Sequence, residues 1–303
     1  MNISFKTLAT GRTPRRQCGR SMCYRPNGEA GTRMVGFYAY EFAAPALRDL
    51  VCSAWSVAYG ADEDAMPGII APDAHVELVF QTGEPCGLDL SGKIFKTSPR
   101  AMLFALRRGA LKLHARGANT IAALRLSPAV ASVLLGRPLN DVWNAPVDLR
   151  DVIGPEIDTL VDRVAHTPQA AIGEVLEAWL TSRLANWDAA DARSLHLQHA
   201  LFWQFTDNRV SALAGDLGVT ERTLRRHCER YAGLSPKQVS LSGRVLRACV
   251  ALRDRRDMSI SEVASSVGFY DQAAFTNTFH HVVTMTPRAF RAAPMVYCEG
   301  ARS

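Results

Sequence analysis

Two hydrophobic periods divide the chain. In residues 210–217 apolar side chains fall at i, i+3, i+4 and i+7 (Val210, Leu213, Ala214, Leu217), the spacing of a helix with one buried face. Upstream, residues 35–40, 75–80, 101–106 and 120–126 form short apolar runs separated by Gly- and Pro-rich turns, which predicts strands of a compact β barrel or sandwich. From Ser127 the pattern becomes helical, with Pro128 and Pro155 as helix-start signals, and it continues through Trp187 and Trp203. This middle stretch is expected to serve as connector and dimer interface. The fold class is therefore α+β: a mostly-β, barrel-like N-terminal domain with a helical connector, then an all-α domain with two helix-turn-helix units.

The C-terminal pattern recurs about fifty residues further on, and such self-similarity implies two copies of one unit. Leu213-Ala214 with Leu217-Gly218 returns as Val263-Ala264 with Val267-Gly268. After one inserted residue, Thr220, Leu224, Cys228, Ser235 and Pro236 return as Asp271, Phe275, Phe279, Thr286 and Pro287. In the first copy Ala214 is small enough for a close helix crossing, Gly218 can take a positive φ at the turn, and Thr220 caps the second helix. Leu224, Cys228 and Tyr231 then face the core, leaving Arg222, Arg225, Arg226 and Glu229 outside. In the second copy Ile260, Val263, Ala264 and Val267 line one face, Gly268 turns the chain, Asp271 caps, and Phe275 and Phe279 bury the next helix. Its outer side carries Gln272, Ala273, Thr276, Asn277 and His280.

Between the copies, Ser235-Pro236 reads as an N-cap followed by proline at the first helical position, and Arg244, Ala248 and Leu252 continue a helix to about Arg253. Its roughly 18 residues at 1.5 Å each span about 27 Å, of the order of one DNA turn of about 34 Å. A rigid linker of that length suits two reading helices in successive major grooves. Arginine matches the two acceptors of guanine, Asn and Gln match adenine, and Thr or Ala can meet the thymine methyl. Base contacts are thus expected from Arg222, Arg225 and Arg226 in the first unit and from Gln272, Ala273, Thr276 and Asn277 in the second. The backbone is expected to be gripped at the helix starts of Pro236 and Pro287, aided by Lys237 and Arg288. A pair of purely structural hairpins would not require basic and amide side chains on both outer faces.

The strings V-T-E-R-T-L-R-R-H (219–227), G-L-S-P-K-Q (233–238), V-G-F-Y-D-Q-A-A-F (267–275) and T-P-R-A-F-R (286–291) resemble, in order and spacing, the DNA-binding domain of the AraC/XylS transcription regulators. The resemblance covers the whole of residues 210–291. It departs at Cys228, where an aromatic residue is usual, and at Thr284, where glycine is usual, so the end of the second reading helix is expected to be looser or differently capped. Upstream, Pro72-Asp73 before the strand at His75, the run Leu134-Leu135-Gly136-Arg137-Pro138-Leu139 and Val147-Asp148-Leu149 resemble the N-terminal domain of some AraC-type regulators. What this implies is a domain that senses a small molecule or pairs subunits. Double-stranded DNA is the principal partner expected, with a small-molecule effector, RNA polymerase and a second copy of the chain as candidate partners. No catalysis and no cofactor are required, and the rival reading is a metal-dependent enzyme domain fused to a DNA-binding domain.

Charge adds little: the net charge of +6 suits a polyanionic partner without requiring one. Much of the excess lies in residues 1–33, expected to be a disordered basic arm, either an inert tail or residues upstream of a start at Met34. The expected divisions are then 34–190 for the β-rich sensor or dimerisation domain with its connector, 191–293 for DNA binding, and 294–303 for a tail. The seven cysteines (Cys18, Cys23, Cys52, Cys86, Cys228, Cys249 and Cys298) show no C-x-x-C pair, which suits free thiols in a reducing compartment. His75 and Glu77 point the same way from one strand, with His114 a distant third candidate; two polar residues on an exposed strand face, with no metal, is the expectation. Trp55, Trp143, Trp179 and Trp187 are expected in the core, with a ligand pocket the rival reading. No apolar run reaches the roughly 18–20 residues needed to cross a bilayer, so a cytoplasmic location is expected.

Overall fold

The structure, a computed structural model, describes residues 34–44, 47, 50–60, 68–70, 75–90, 93–95, 98–104, 111–114, 117–137, 139, 146–185, 210–216, 218–292 and 296–297. The expected basic arm, Trp143, Trp187, Trp203, Cys18, Cys23 and Cys298 lie outside these residues.

Strand β4 (Val76–Gly83) explains the N-terminal architecture best, because its first five residues are all buried. A strand covered on both faces reads as a continuous apolar run rather than an alternating one. It sits inside a sheet of order β1 (Met34–Ala39), β2 (Val51–Tyr59), β9 (Asn119–Leu126), β4, β7 (Ala101–Phe104) and β10 (Val147–Asp148), every neighbour antiparallel. On one face Val76, Leu78 and Phe80 join Leu103, Leu124 and Leu126 in the larger core. On the other, Val79, Met102, Phe104, Ile121 and Ala123 meet Cys86, Leu88 and Leu111. Those last three belong to β5 (Gly87–Leu90), β8 (Leu111–His114) and the turn before β5, in a second sheet that also holds β3 (Gly68–Ile70) and β6 (Lys93–Phe95).

Helices cover the first face. Helix α1 (Pro128–Leu134) begins where Ser127 accepts from the Val130 amide and proline occupies the first turn. Helices α2 (Leu149–Ile153), α3 (Glu156–Ala165) and α4 (Ile172–Arg183) follow. Ile157, Leu160, Val161 and Val164 of α3 and Leu176 and Leu180 of α4 are buried against the sheet. The stretch expected to be a connector is therefore, in these helices, a layer of the N-terminal core.

Close packing fixes one glycine here. A Cβ on Gly173 would stand 2.6 Å from the Tyr40 ring, whose hydroxyl bonds Ser56 and the Gln169 carbonyl. Gly173→Ala should therefore displace Tyr40 and cost about 1–3 kcal/mol, read as a lower denaturant midpoint at unchanged slope.

The C-terminal residues are helical: α5 (Val210–Asp216), α6 (Glu221–His227), α7 (Pro236–Asp254), α8 (Ile260–Ser266), α9 (Gln272–Val283) and α10 (Pro287–Ala292). Beyond them, β11 (Val296–Tyr297) pairs in parallel with β3, so the expected tail contributes a short strand to the second sheet. Among the described residues no helix is long and apolar enough to cross a membrane.

Candidate nucleic-acid interface

Each unit is a short helix, a glycine turn and an outward-facing second helix. In the first, Gly218 takes φ 63°, its amide donates to Gly215 O at 3.0 Å, and the Val219 amide donates to Ala214 O at 2.9 Å. This closes α5 with a left-handed residue that glycine adopts at no steric cost. The Thr220 hydroxyl accepts from the Thr223 amide at 3.1 Å and starts α6. Leu224 and Cys228 are buried, as is Ala214. After His227 the chain widens into a π turn, Cys228–Ala232, which ends at Gly233 in the left-handed region. The side chains of Leu213 and Tyr231, and Leu217 entirely, lie outside the described residues.

Arg222, Arg225 and Arg226 are exposed and lie at i, i+3 and i+4, hence on one face of α6. His227 beside them is half-buried; burial, then the adjacent Arg226 and Arg230 guanidiniums, hold its pKa below the ordinary imidazole value. The ring is neutral at pH 7, so the positive face is the work of the arginines. Burial, with Glu229 alongside, pushes the Cys228 thiol up to about 12, so it packs as a small apolar residue and supplies no thiolate at neutral pH.

The second unit repeats the geometry. Ser259 and Glu262 form a capping box, Glu262 N donating to the Ser259 hydroxyl at 3.1 Å and Ser259 N to the Glu262 carboxylate at 2.6 Å. Those bonds from Ser259 hold the Glu262 carboxyl below its usual range. Gly268 turns the chain at φ 81°, and Asp271 accepts from the Ala274 amide at 2.7 Å. Phe275 and Phe279 are fully buried, with ring centroids 5.5 Å apart, and Phe279 meets Phe290 of α10 edge-on at 5.4 Å. Gln272, Ala273, Asn277 and His280 are exposed, whereas Thr276 is half-buried.

The linker α7 runs 19 residues, about 28 Å at 1.5 Å each. Beyond the expected proline and N-cap it has a full capping box, with Ser235 N donating to the Gln238 side chain at 2.9 Å. Lys237 is exposed in its first turn and Arg288 in the first turn of α10. Arg244, read from the sequence only as part of the linker helix pattern, has a guanidinium that donates to Gly268 O at 3.1 Å and lies 4.6 Å from the Phe269 ring centroid. Tyr270, next in the same turn, is fully exposed.

The end of α9 differs from expectation. Thr284 takes φ 61°, and its amide donates to His280 O at 2.9 Å, so the helix is capped as a glycine would cap it, at the steric cost of a β-branched residue in the left-handed region. Thr284→Gly should accordingly stabilise the domain by about 0.5–1 kcal/mol, seen as a higher midpoint of thermal unfolding.

The exposed strand face expected for His75 and Glu77 is not what the fold provides. Both are buried, and Arg125, buried with them, bonds His75 Nδ1 at 3.3 Å. A guanidinium only donates, so that nitrogen accepts, and a resident cation disfavours a second one at the ring. Among the described residues no cluster of three or more His, Cys, Asp or Glu is arranged to hold a metal ion. The two described tryptophans of the four lie on different cores: Trp55 packs on the core between the sheets, and Trp179 on the core beneath the helices, edge-on to Phe80.

Two turn-linked helix pairs with exposed second helices, joined by a capped rigid helix, define a double helix-turn-helix protein. Residues 213–293 match the family described as "Helix-turn-helix domain". An uncharacterised helix-turn-helix-type transcriptional regulator of Escherichia coli K12, YidL, is 26% identical over 147 residues, 43% of this chain and 48% of that protein. The chain thus spans about half the length of the curated relative it matches. Among solved structures, ToxT from Vibrio cholerae O395 is 12% identical, covering 79% of this chain and 97% of that one with a TM-score of 0.44. An AraC-type DNA-binding regulator from Chromobacterium violaceum is 26% identical, covering 35% of this chain and 96% of that one with a TM-score of 0.32. Residues 213–293 thus carry a helix-turn-helix domain, in the same span whose motifs resemble the AraC/XylS regulators.

Proposed function

We propose that the chain is a sequence-specific transcription regulator that lays α6 and α9 in successive major grooves and is modulated through its N-terminal domain. The single observation that carries this reading is the duplicated unit with two different exposed stripes, arginines on α6 and amides on α9. Arg222, Arg225 and Arg226 read a guanine-containing sub-site; Gln272, Ala273, Thr276 and Asn277 read A and T steps; Lys237 and Arg288 hold phosphates. In this reading residues 34–190 sense or pair and residues 191–293 bind DNA. A small molecule held by the sandwich, a second copy of the chain and RNA polymerase are the further partners proposed, and the protein acts in the cytoplasm, where such DNA is accessible. No catalytic step enters this mechanism.

The test is salt dependence of the full chain on a promoter fragment selected from genomic DNA. Neutralising several phosphates should make log K fall against log salt by about 0.9 for each phosphate engaged. A nearly flat response would instead identify the helices as a docking surface for another protein.

A further inference from the structure

The two units differ in their turns. The first passes from Gly218 through Val219 directly to its cap, Thr220; the second passes from Gly268 through Phe269 and Tyr270 before its cap, Asp271. The same two backbone bonds close both preceding helices, with Gly268 N donating to Ser265 O at 3.1 Å and Phe269 N to Ala264 O at 3.0 Å. The extra residue therefore falls after the closure, in the stretch that aims the start of α9. A longer turn without a further anchor has more ways to lie, and each degree of freedom moves Gln272 and Ala273 relative to the rest of the domain.

We propose that Arg244 of the linker helix is that anchor, a positioning residue that sets where the second reading helix begins. Its guanidinium donates to Gly268 O at 3.1 Å and lies over the Phe269 ring at 4.6 Å. Phe269 in turn packs against Phe275, with centroids 5.3 Å apart, one turn into α9. The path runs from linker helix to turn carbonyl, to ring, to the buried face of the reading helix. Neither contact is made by an aliphatic side chain of equal length, and a lysine offers a donor but no planar group to lie on the ring. The role rests on the proposed reading of DNA by α9, and it assigns Arg244 no contact with DNA.

The experiment compares the full-length wild type with Arg244→Met and Arg244→Lys, at a temperature well below each variant's own unfolding midpoint. Binding is measured to a selected duplex and to single-base changes in each sub-site. Arg244→Met should reduce discrimination in the second sub-site by about fivefold or more, part of the roughly tenfold or larger effect of one good base contact, and leave the first sub-site unchanged. Arg244→Lys should recover part of the loss. Phe269→Leu should mimic Arg244→Met, and the double variant should add little to either, because both remove one path. A uniform loss on all duplexes, or discrimination intact in both variants, would overturn the positioning role and leave Arg244 as a stabilising contact only. Should Arg244→Met fail to fold, Lys and Phe269→Leu decide the matter alone. A wild-type chain indifferent to changes in the second sub-site would overturn the reading by α9 itself, and the positioning role with it.

Discussion

Phe279→Ala is expected to cost about 3–5 kcal/mol, the largest loss any single change should cause in the C-terminal domain. The ring is fully buried, lies between Phe275 and Phe290, so that it joins α9 to α10, and belongs to the same core as Val245, Ala248 and Cys249 of the linker. Truncation removes the aromatic contacts and leaves a cavity that three helix surfaces must collapse to fill. Natural domains have only about 5–15 kcal/mol in hand, so the second unit should be partly unfolded near body temperature and its sub-site bound weakly. Denaturant unfolding of the variant followed by far-ultraviolet dichroism checks this. A loss below about 1 kcal/mol would mean that the second unit is not built around this ring.

The second large effect is functional. Arg226→Ala should weaken binding by about 1–3 kcal/mol and relax base preference only within the guanine-containing sub-site. Asn277→Ala should do the same only in the other. Lys237→Ala should lower affinity for every sequence alike and flatten the salt slope by about one unit, as loss of one phosphate contact requires. Both Arg226 and Asn277 are exposed, so neither change should disturb folding. Competition binding with base-substituted duplexes measures it. If Arg226→Ala lowers affinity uniformly with preference unchanged, Arg226 is a phosphate contact and the reading face of α6 is misassigned.

The C-terminal architecture was legible because each unit is specified locally. Helical spacing, Gly218 and Gly268 at the turns, and Thr220, Ser235 and Asp271 as caps are one-residue devices that the structure uses as their chemistry suggests. The sequence places Arg244 in the linker helix but does not show what it touches. Its partners, Gly268 and Phe269, lie more than twenty residues away, and an arginine on a linker helix looks the same in sequence whether it faces water or a ring.

The N-terminal sandwich was only partly legible. Residues 75–80 and 120–126 stand out as strands because apolar residues dominate both runs, as burial on both faces favours, with His75, Glu77 and Arg125 as the buried polar exceptions. Strand β2 (Val51–Tyr59) mixes Ser, Ala and Cys with Trp and Val, and gives no such signal, although it pairs along nearly its whole length with β9. The short strands of the second sheet, three or four residues each in β3, β5, β6 and β8, are shorter than any periodicity can register. The burial of His75 and Glu77 follows from a long-range fact, the pairing of Glu77 with Arg125 across β4 and β9, which places a cation beside them. Nothing adjacent in sequence announces it.

One chain is proposed to read two different sub-sites through two unlike helices held by one linker helix. Selection of bound duplexes from a fully randomised library by the full-length protein tests this most directly. Two enriched blocks of unlike sequence are expected, one containing guanine and one rich in A and T, centred about 10 bp apart in a fixed order and orientation. A single block, or two identical blocks in palindromic arrangement with nothing further within each half, would contradict it.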